Sequence, residues 1–255
     1  MTKAMEIVKK ARSDDKITGR ELIAQIFPDF IELHGDRLGS DDPAIIGGLA
    51  TLNNKAVTVI STDRGHSAQE RIARHFGCPT PGGYRKSLRL AKQAAKFHRP
   101  IIIFVNTAGA YPGQEAEEQG QGAAIAQNLL QLGNLPVPII TVIFGEGGSG
   151  GALALACGDR VLMLTNSTYS VLSPEGFASI MYRDSSKAAQ AAEIMQITPE
   201  SLKKYQVIEE IIPESANHNQ TAETVKTVIC QQLKELAALT PAELLAKRKQ
   251  RFRQY

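Results

Sequence analysis

PIIIFVNTAGAYPG, residues 100–113, and PVPIITVIFGEGGSGGALALA, residues 136–156, follow one pattern. Each begins with proline and an unbroken aliphatic and β-branched run, then passes through glycines into a helical spacing. A strand half-exposed to water would alternate apolar with polar residues. A run apolar at both parities fits a strand covered on both faces, as in a parallel sheet. The expected elements are a strand through Val105, a loop over Thr107–Gly113 and a helix from about Glu115 to Leu132. A second strand through Phe144, a second loop over Gly145–Gly151 and a short helix through GALALA follow. Parallel strands joined through helices make right-handed crossovers, so the fold class is α/β.

Working outward, IIGGLATL (45–52) and KAVTVIST (55–62) flank Asn53-Asn54. Asparagine tolerates positive φ, so this reads as a hairpin. Residues 61–83 are polar and glycine- and proline-bearing, and read as irregular. Tyr84 to His98 has helical spacing, closed by Arg99-Pro100. RVLML (160–164), TYSVLS (168–173) and QVIEEIIP (206–213) are further strand candidates, and the remainder after Glu175 is mainly helical. Thr18 with Glu21 three residues later is a capping box. The expected organisation is one domain, 1–255, with an N-terminal helical segment (1–26) and a C-terminal helical extension (214–255).

Composition excludes several classes. Net charge is +3, aromatic content is 5% and tryptophan is absent, which gives no stacking platform for single-stranded nucleic acid. The three cysteines, Cys78, Cys157 and Cys230, form no CxxC pair, so neither a zinc site nor a disulfide framework is expected. MTKAMEIVKKARSDD, the first fifteen residues, lacks a signal-peptide core, and no apolar run approaches the roughly 18 residues of a membrane span. The expected location is the cytoplasm.

At a strand-to-helix junction the first backbone N–H groups of the helix are unpaired, and glycine lets a ligand oxygen approach them. Two such junctions on neighbouring strands would aim a pair of donors at one oxygen, forming an oxyanion hole. Tight turning with close helix–strand packing is the plain alternative. Gly145-x-Gly147-x-x-Gly150 matches the dinucleotide fingerprint, but RVLML ends in Thr165-Asn166, where a Rossmann unit wants an acidic residue. Gly147-x-Ser149-x-Gly151 matches a hydrolase nucleophile elbow. The histidine downstream of it is His218 in SANHNQ, with Asp159 or Asp184 to orient it, a poor setting for a catalytic base.

Together, PDFIELHGDR (28–37), the stretch from Gly83 to Leu130, ITVIFGEGGSGGALAL (140–155) and STYSVLSPEGFASI (167–180) resemble the alpha-subunit family of bacterial acetyl-CoA carboxylase carboxyltransferases. The resemblance runs from about Phe27 to Pro213. It implies a crotonase/ClpP-like ββα superhelix. It implies a reaction moving a carboxyl group from carboxybiotin, held on a biotin carboxyl carrier protein, to acetyl-CoA, giving malonyl-CoA for fatty-acid synthesis. It implies a carboxyltransferase beta subunit in an α2β2 assembly, zinc on that partner rather than on this chain, and a biotin carboxylase in the wider complex. By motif it assigns the hole to the backbone of Gly150 and Gly151 facing Gly109 and Ala110, with Tyr111, Pro112, Gly147 and Gly148 around the carboxybiotin. A stand-alone acyl-CoA hydratase or isomerase, or a non-catalytic assembly subunit, are the alternatives on the same fold. The sequence departs from the family at Asn106-Thr107-Ala108-Gly109, where Asp-Thr-Pro-Gly is usual, and over residues 65–71, where a Gly-Gln-Lys-Gly type of stretch is usual.

Arg85, Lys86, Arg89, Lys92, Lys96 and Arg99 form a basic stripe, read as a solvated face or as an attraction for CoA phosphates or the carrier. Glu115, Glu117 and Glu118 read as dipole-compensating residues at a helix start. His34 reads as a structural hydrogen-bonding group, His66 and His75 flank the divergent stretch, and the basic end LLAKRKQRFRQY (244–255) reads as a subunit contact or a solvated end.

Overall fold

The computed structural model describes residues 2–254. The chain begins with α1 (Lys3–Ala11) and α2 (Gly19–Ile26), the latter closed by the Thr18–Glu21 capping box. Strands β1 (Ile31–Glu32), β2 (Ile45–Leu52) and β3 (Lys55–Thr62) follow. Asn53 and Asn54 turn the β2–β3 hairpin with φ of 48° and 61°, the paired positive values a type I′ turn requires. Next come α3 (Ala68–Ala73), α4 (Pro81–Lys96) and β4 (Ile101–Thr107). Helices α5 (Gln114–Glu118) and α6 (Gln121–Leu132) precede β5 (Ile139–Gly148), α7 (Ser149–Leu153), β6 (Arg160–Leu164) and β7 (Thr168–Ser170). The last third holds α8 (Pro174–Tyr182), α9 (Ala188–Ile194), α10 (Pro199–Lys204), β8 (Glu210–Ile212), α11 (His218–Leu236) and α12 (Pro241–Phe252).

The strands form one sheet ordered β1-β2-β3-β4-β5-β6-β8, and β7 pairs with the far half of β5. The first two pairings are antiparallel and those from β3 to β8 are parallel. Both faces are covered, and side-chain parity divides them. Ile102, Phe104, Ile140, Val142 and Phe144 point into a core closed by α2 and α11. Ile101, Ile103, Val105, Ile139 and Ile143 point into a core closed by α4, α6 and α7. Each fully buried side chain of this size contributes roughly 1.5–3 kcal/mol, so this alternation holds the parallel centre of the sheet in register. A small satellite core joins α1 to α9 through Ala4, Val8 and Ala192. Among the described residues no helix is long and apolar enough to cross a membrane.

Three expectations are corrected. The segment after β3 is not irregular: Ser67 and Glu70 form a second capping box that starts α3, and α4 begins at Pro81 rather than Tyr84. The helix expected over 115–132 is broken at Gly120, whose φ of 82° ends α5 and caps α6. The supposed loop Gly145–Gly151 hardly exists, because β5 runs to Gly148 and α7 starts at Ser149.

The basic stripe is not a solvated face either. Lys86 is 1% exposed; its ammonium donates to Asp41 Oδ1 at 2.7 Å and to the Ile45 carbonyl at 2.9 Å. Arg85 donates to Asp36 Oδ2 at 2.7 Å, and Arg89 to the carbonyl of Gly35 at 2.9 Å. These three cations clamp the 34–42 turn onto α4, while Lys92 and Lys96 stay exposed. His34 takes the structural part expected of it, with Nδ1 2.8 Å from Asp41 Oδ2. The basic C-terminal end contains a buried residue: Arg248 is 2% exposed and paired with Asp159 at 2.6 Å.

Candidate functional site: two strand ends in contact

The ends of β4 and β5 meet, and an irregular ladder brings them together. Their parallel register runs regularly from Ile101 opposite Ile139 to Val105 opposite Ile143, then jumps to Thr107 opposite Gly147. Only Asn106 lies between the paired residues on β4, whereas Phe144, Gly145 and Glu146 lie between them on β5, so β5 bulges. A bulge takes backbone donors off the ladder. Asn106 compensates by accepting the Glu146 N–H on Oδ1 at 2.9 Å, while its own N–H donates to Thr62 Oγ1 at 2.7 Å. That role needs one acceptor oxygen and no negative charge. The amide of Asn106 therefore supports the bulge without a charge.

Beyond the bulge the two backbones are packed too closely for side chains. A β-carbon on Gly148 would lie 2.1 Å from the Ala108 carbonyl oxygen. One on Gly151 would lie 2.3 Å from the Ala110 nitrogen and 2.6 Å from the Gly109 carbonyl carbon. Gly109 itself has φ of 146°, open to glycine alone, and its N–H donates to Thr107 Oγ1 at 3.1 Å. The Thr107 hydroxyl in turn donates to the Gly109 carbonyl at 2.7 Å. Among the described residues the Ala110 N–H has no acceptor within the chain. The first-turn N–H groups of α7, including those of Gly150 and Gly151, lack an intrahelical acceptor by position. With five residues α7 is too short to build much of a macrodipole, so local N–H groups, not a whole-helix field, carry the electrostatics here.

The structure thus brings Gly151 against the Gly109–Ala110 peptide, whereas a β-carbon on Gly150 would face the Ile125 side chain at 3.9 Å. Gly147 and Gly148 are buried strand residues that make the junction from within the sheet. Tyr111 is half-buried: its ring stacks on His75 at 4.0 Å between centroids, and its N–H donates to the Pro79 carbonyl at 3.0 Å. Its hydroxyl meets Glu115, which raises the phenol's pKa. Gln121 locks this turn from below, its amide donating to the carbonyls of Pro79 and Tyr111 at 2.9 Å each. Pro112 is exposed.

Ser149 has φ of 57°, the strained turn of a nucleophile elbow. Its supposed base is committed elsewhere, with His218 Nε2 2.9 Å from the Asp15 carbonyl and Nδ1 3.4 Å from Glu21. Two of the three glycines in the dinucleotide pattern, Gly145 and Gly147, are strand residues, which removes the loop that reading requires.

Charged residues unremarked in the sequence reading hold the junction from the other side. Glu146, 9% exposed, accepts from Arg12 Nε at 2.7 Å and from Arg64 Nη1 at 3.3 Å. Arg12 also reaches Glu175 at 2.8 Å. Burial works against the Arg12 charge, yet bonds to Glu175 and Glu146 raise its pKa above the usual range, so it stays ionised. An arginine capping the first helix gives no local sign of a partner 134 residues away.

The family model described as acetyl co-enzyme A carboxylase carboxyltransferase-like matches residues 1–255. The acetyl-coenzyme A carboxylase carboxyl transferase subunit alpha of Streptococcus sanguinis is 53% identical over 256 residues, covering 100% of both chains. The protein of that name in Halalkalibacterium halodurans is 52% identical over 98% of this chain and 79% of its own length. Among solved structures, transcarboxylase 12S superposes with a TM-score of 0.74 at 19% identity, covering 93% of this chain. The beta subunit of Pseudomonas aeruginosa geranyl-CoA carboxylase gives 0.67 at 16% identity over 92%. This chain spans just under half of each of those two, 45% and 46%, and the likeness is one of fold, the crotonase-type spiral. On the full-length sequence matches, the chain belongs to the acetyl-CoA carboxylase carboxyltransferase family.

Proposed function

We propose that this chain is the alpha half of an acetyl-CoA carboxylase carboxyltransferase, a cytoplasmic enzyme completed by a beta subunit in an α2β2 assembly. It takes carboxybiotin from a carrier protein and hands the carboxyl group to acetyl-CoA, forming malonyl-CoA. The observation that carries this reading is the contact of Gly151 with the Gly109–Ala110 peptide, whose Ala110 N–H has no acceptor among the described residues.

Loss of the carboxyl group from carboxybiotin leaves negative charge on the ureido oxygen. The Ala110 N–H and the Gly150 and Gly151 N–H groups are the donors assigned to that oxygen, and by stabilising the charge they make biotin a better leaving group. The biotin anion then takes the proton from the acetyl methyl group. The enolate so formed lies against the beta subunit and attacks the released CO2. No side-chain nucleophile is required, in keeping with a Ser149 whose candidate histidine is bonded elsewhere. Tyr111 and Pro112 are assigned to the outer side of the carboxybiotin site.

Co-expression with a carboxyltransferase beta chain, followed by assay of malonyl-CoA formation from carboxybiotin and acetyl-CoA, tests the proposal. The assembled pair is expected to be active and either chain alone inactive. Hydration of an enoyl-CoA by the isolated chain, with no carboxyl transfer by the pair, would overturn it.

A further inference from the structure

Tyr84 is the second-largest side chain in the deepest part of the interior, with 0% exposure, yet its hydroxyl has no hydrogen-bond partner among the described residues. An orphaned buried hydroxyl is costly, and a phenylalanine of the same shape would avoid the cost. The group is also well held. Asp42 accepts the Thr80 N–H at 2.7 Å and the Thr80 hydroxyl at 2.9 Å, which fixes the start of α4. The Tyr84 carbonyl accepts from Ser87 Oγ at 2.8 Å, and that hydroxyl accepts from Asn128 at 2.9 Å. A residue anchored this firmly does not carry an unpaired hydroxyl through looseness.

The hydroxyl points at the junction of the two strand ends. The β-carbon position of Gly151, already 2.3 Å from the Ala110 nitrogen and 2.6 Å from the Gly109 carbonyl carbon, is 2.7 Å from Tyr84 Oη. Gly151, the Gly109–Ala110 peptide and the phenol oxygen therefore share one point. We propose that Tyr84 is a positioning residue of the oxyanion hole: its hydroxyl, unpaired at rest, donates to the Gly109 carbonyl when Ala110 N–H takes up the ligand oxygen. That carbonyl has used one lone pair on Thr107 and has a second free. Charge growing on an oxygen bound to the Ala110 N–H draws electron density through the peptide and makes the Gly109 carbonyl a stronger acceptor. A hydroxyl bonded there strengthens the N–H in return, because hydrogen bonds in series polarise one another. Burial pushes the phenol's pKa well above its usual range, so the group keeps its proton as a donor.

The inference rests on the carboxyltransferase reading, and one variant separates the two. Tyr84→Phe removes the oxygen and nothing else. In the alpha–beta complex, assayed with malonyl-CoA and free biotin, kcat should fall about tenfold with KM for biotin unchanged. Thermal stability should move the opposite way, with Tm rising by about 2–4 °C as the orphan is removed. Unchanged kcat would overturn the assignment. So would a parallel loss of stability and activity, which would make Tyr84 a purely structural residue. A wild-type complex that moves no carboxyl group would instead sink the functional reading beneath it, and is recognised because the variant is then irrelevant.

Discussion

At Gly151 the missing side chain is a requirement of packing as much as of chemistry. A methyl group there would collide with backbone, the Ala110 nitrogen at 2.3 Å, which cannot rotate aside as a side-chain tip could. Gly151→Ala should therefore displace the Gly109–Ala110 peptide and disturb both sides of the hole at once. Malonyl-CoA decarboxylation by the assembled complex is expected to drop at least about 100-fold, the usual cost of one lost oxyanion donor. Gel filtration should still show the complex. An alanine variant with wild-type turnover would remove the hole from the mechanism. What the sequence made legible at this scale was the pairing of two glycine-bearing junctions. It hid the fact that Gly145–Gly148 are strand, because glycine weakens a strand and reads as a loop unless another backbone must come close. Asn106 stood out only as a departure from the family pattern, and the bulge in β5 shows that the position uses an acceptor oxygen.

Helix α4 shows how an element can be right and its surface wrong. Its apolar spacing gave the helix, but its cations were read as a solvated face or an attraction for CoA phosphates or the carrier, since carboxylates at Asp36 and Asp41 are 49 and 45 residues from Arg85 and Lys86. The clamp has a pH signature. Partial burial opposes ionisation of Asp41, but bonds from Lys86, the Gly35 N–H and His34 outweigh it and lower its pKa from 3.8 to about 2. A carboxylate depressed in the folded state binds its proton more readily when unfolded, so stability falls as pH falls. The contribution is complete above about pH 4 and gone near pH 2. Asp41→Asn should lower stability at neutral pH and flatten the acid limb of a urea-melt series across that window. An unchanged limb would show that the turn is held by Arg85 and Arg89 alone. Capping boxes were read unevenly: Thr18–Glu21 stood before an apolar run and was recognised, whereas Ser67–Glu70 stood in polar surroundings and was passed over.

For the whole molecule, the sheet's parallel centre was the most legible feature and its fastening the least. Runs such as Ile101–Val105 carry their own evidence of double burial, whereas the parts that lock them come from the chain's far ends. Arg248 on α12 donates to both Asp159 oxygens at 2.8 and 2.6 Å and to the carbonyls of Leu135 and Val137 at 2.8 Å each. Asp159 also accepts the N–H of Ile139, the first residue of β5, at 2.8 Å. A terminal LAKRKQRF stretch reads as a subunit contact or a solvated end because its one buried cation is indistinguishable in composition from the exposed ones. Arg248→Ala strands Asp159 as an unpaired buried charge and should cost about 3–5 kcal/mol in a denaturant titration. Arg248→Lys should recover only part, since an ammonium cannot serve two carboxylate oxygens and several carbonyls in one plane. A loss below about 1 kcal/mol would mean that the pair is solvated. The position of this arginine also sets an order of assembly. The strand that ends at the candidate junction is tethered at its origin through Asp159 by a residue 89 positions further along the chain. The central strands can therefore be formed before they are fastened.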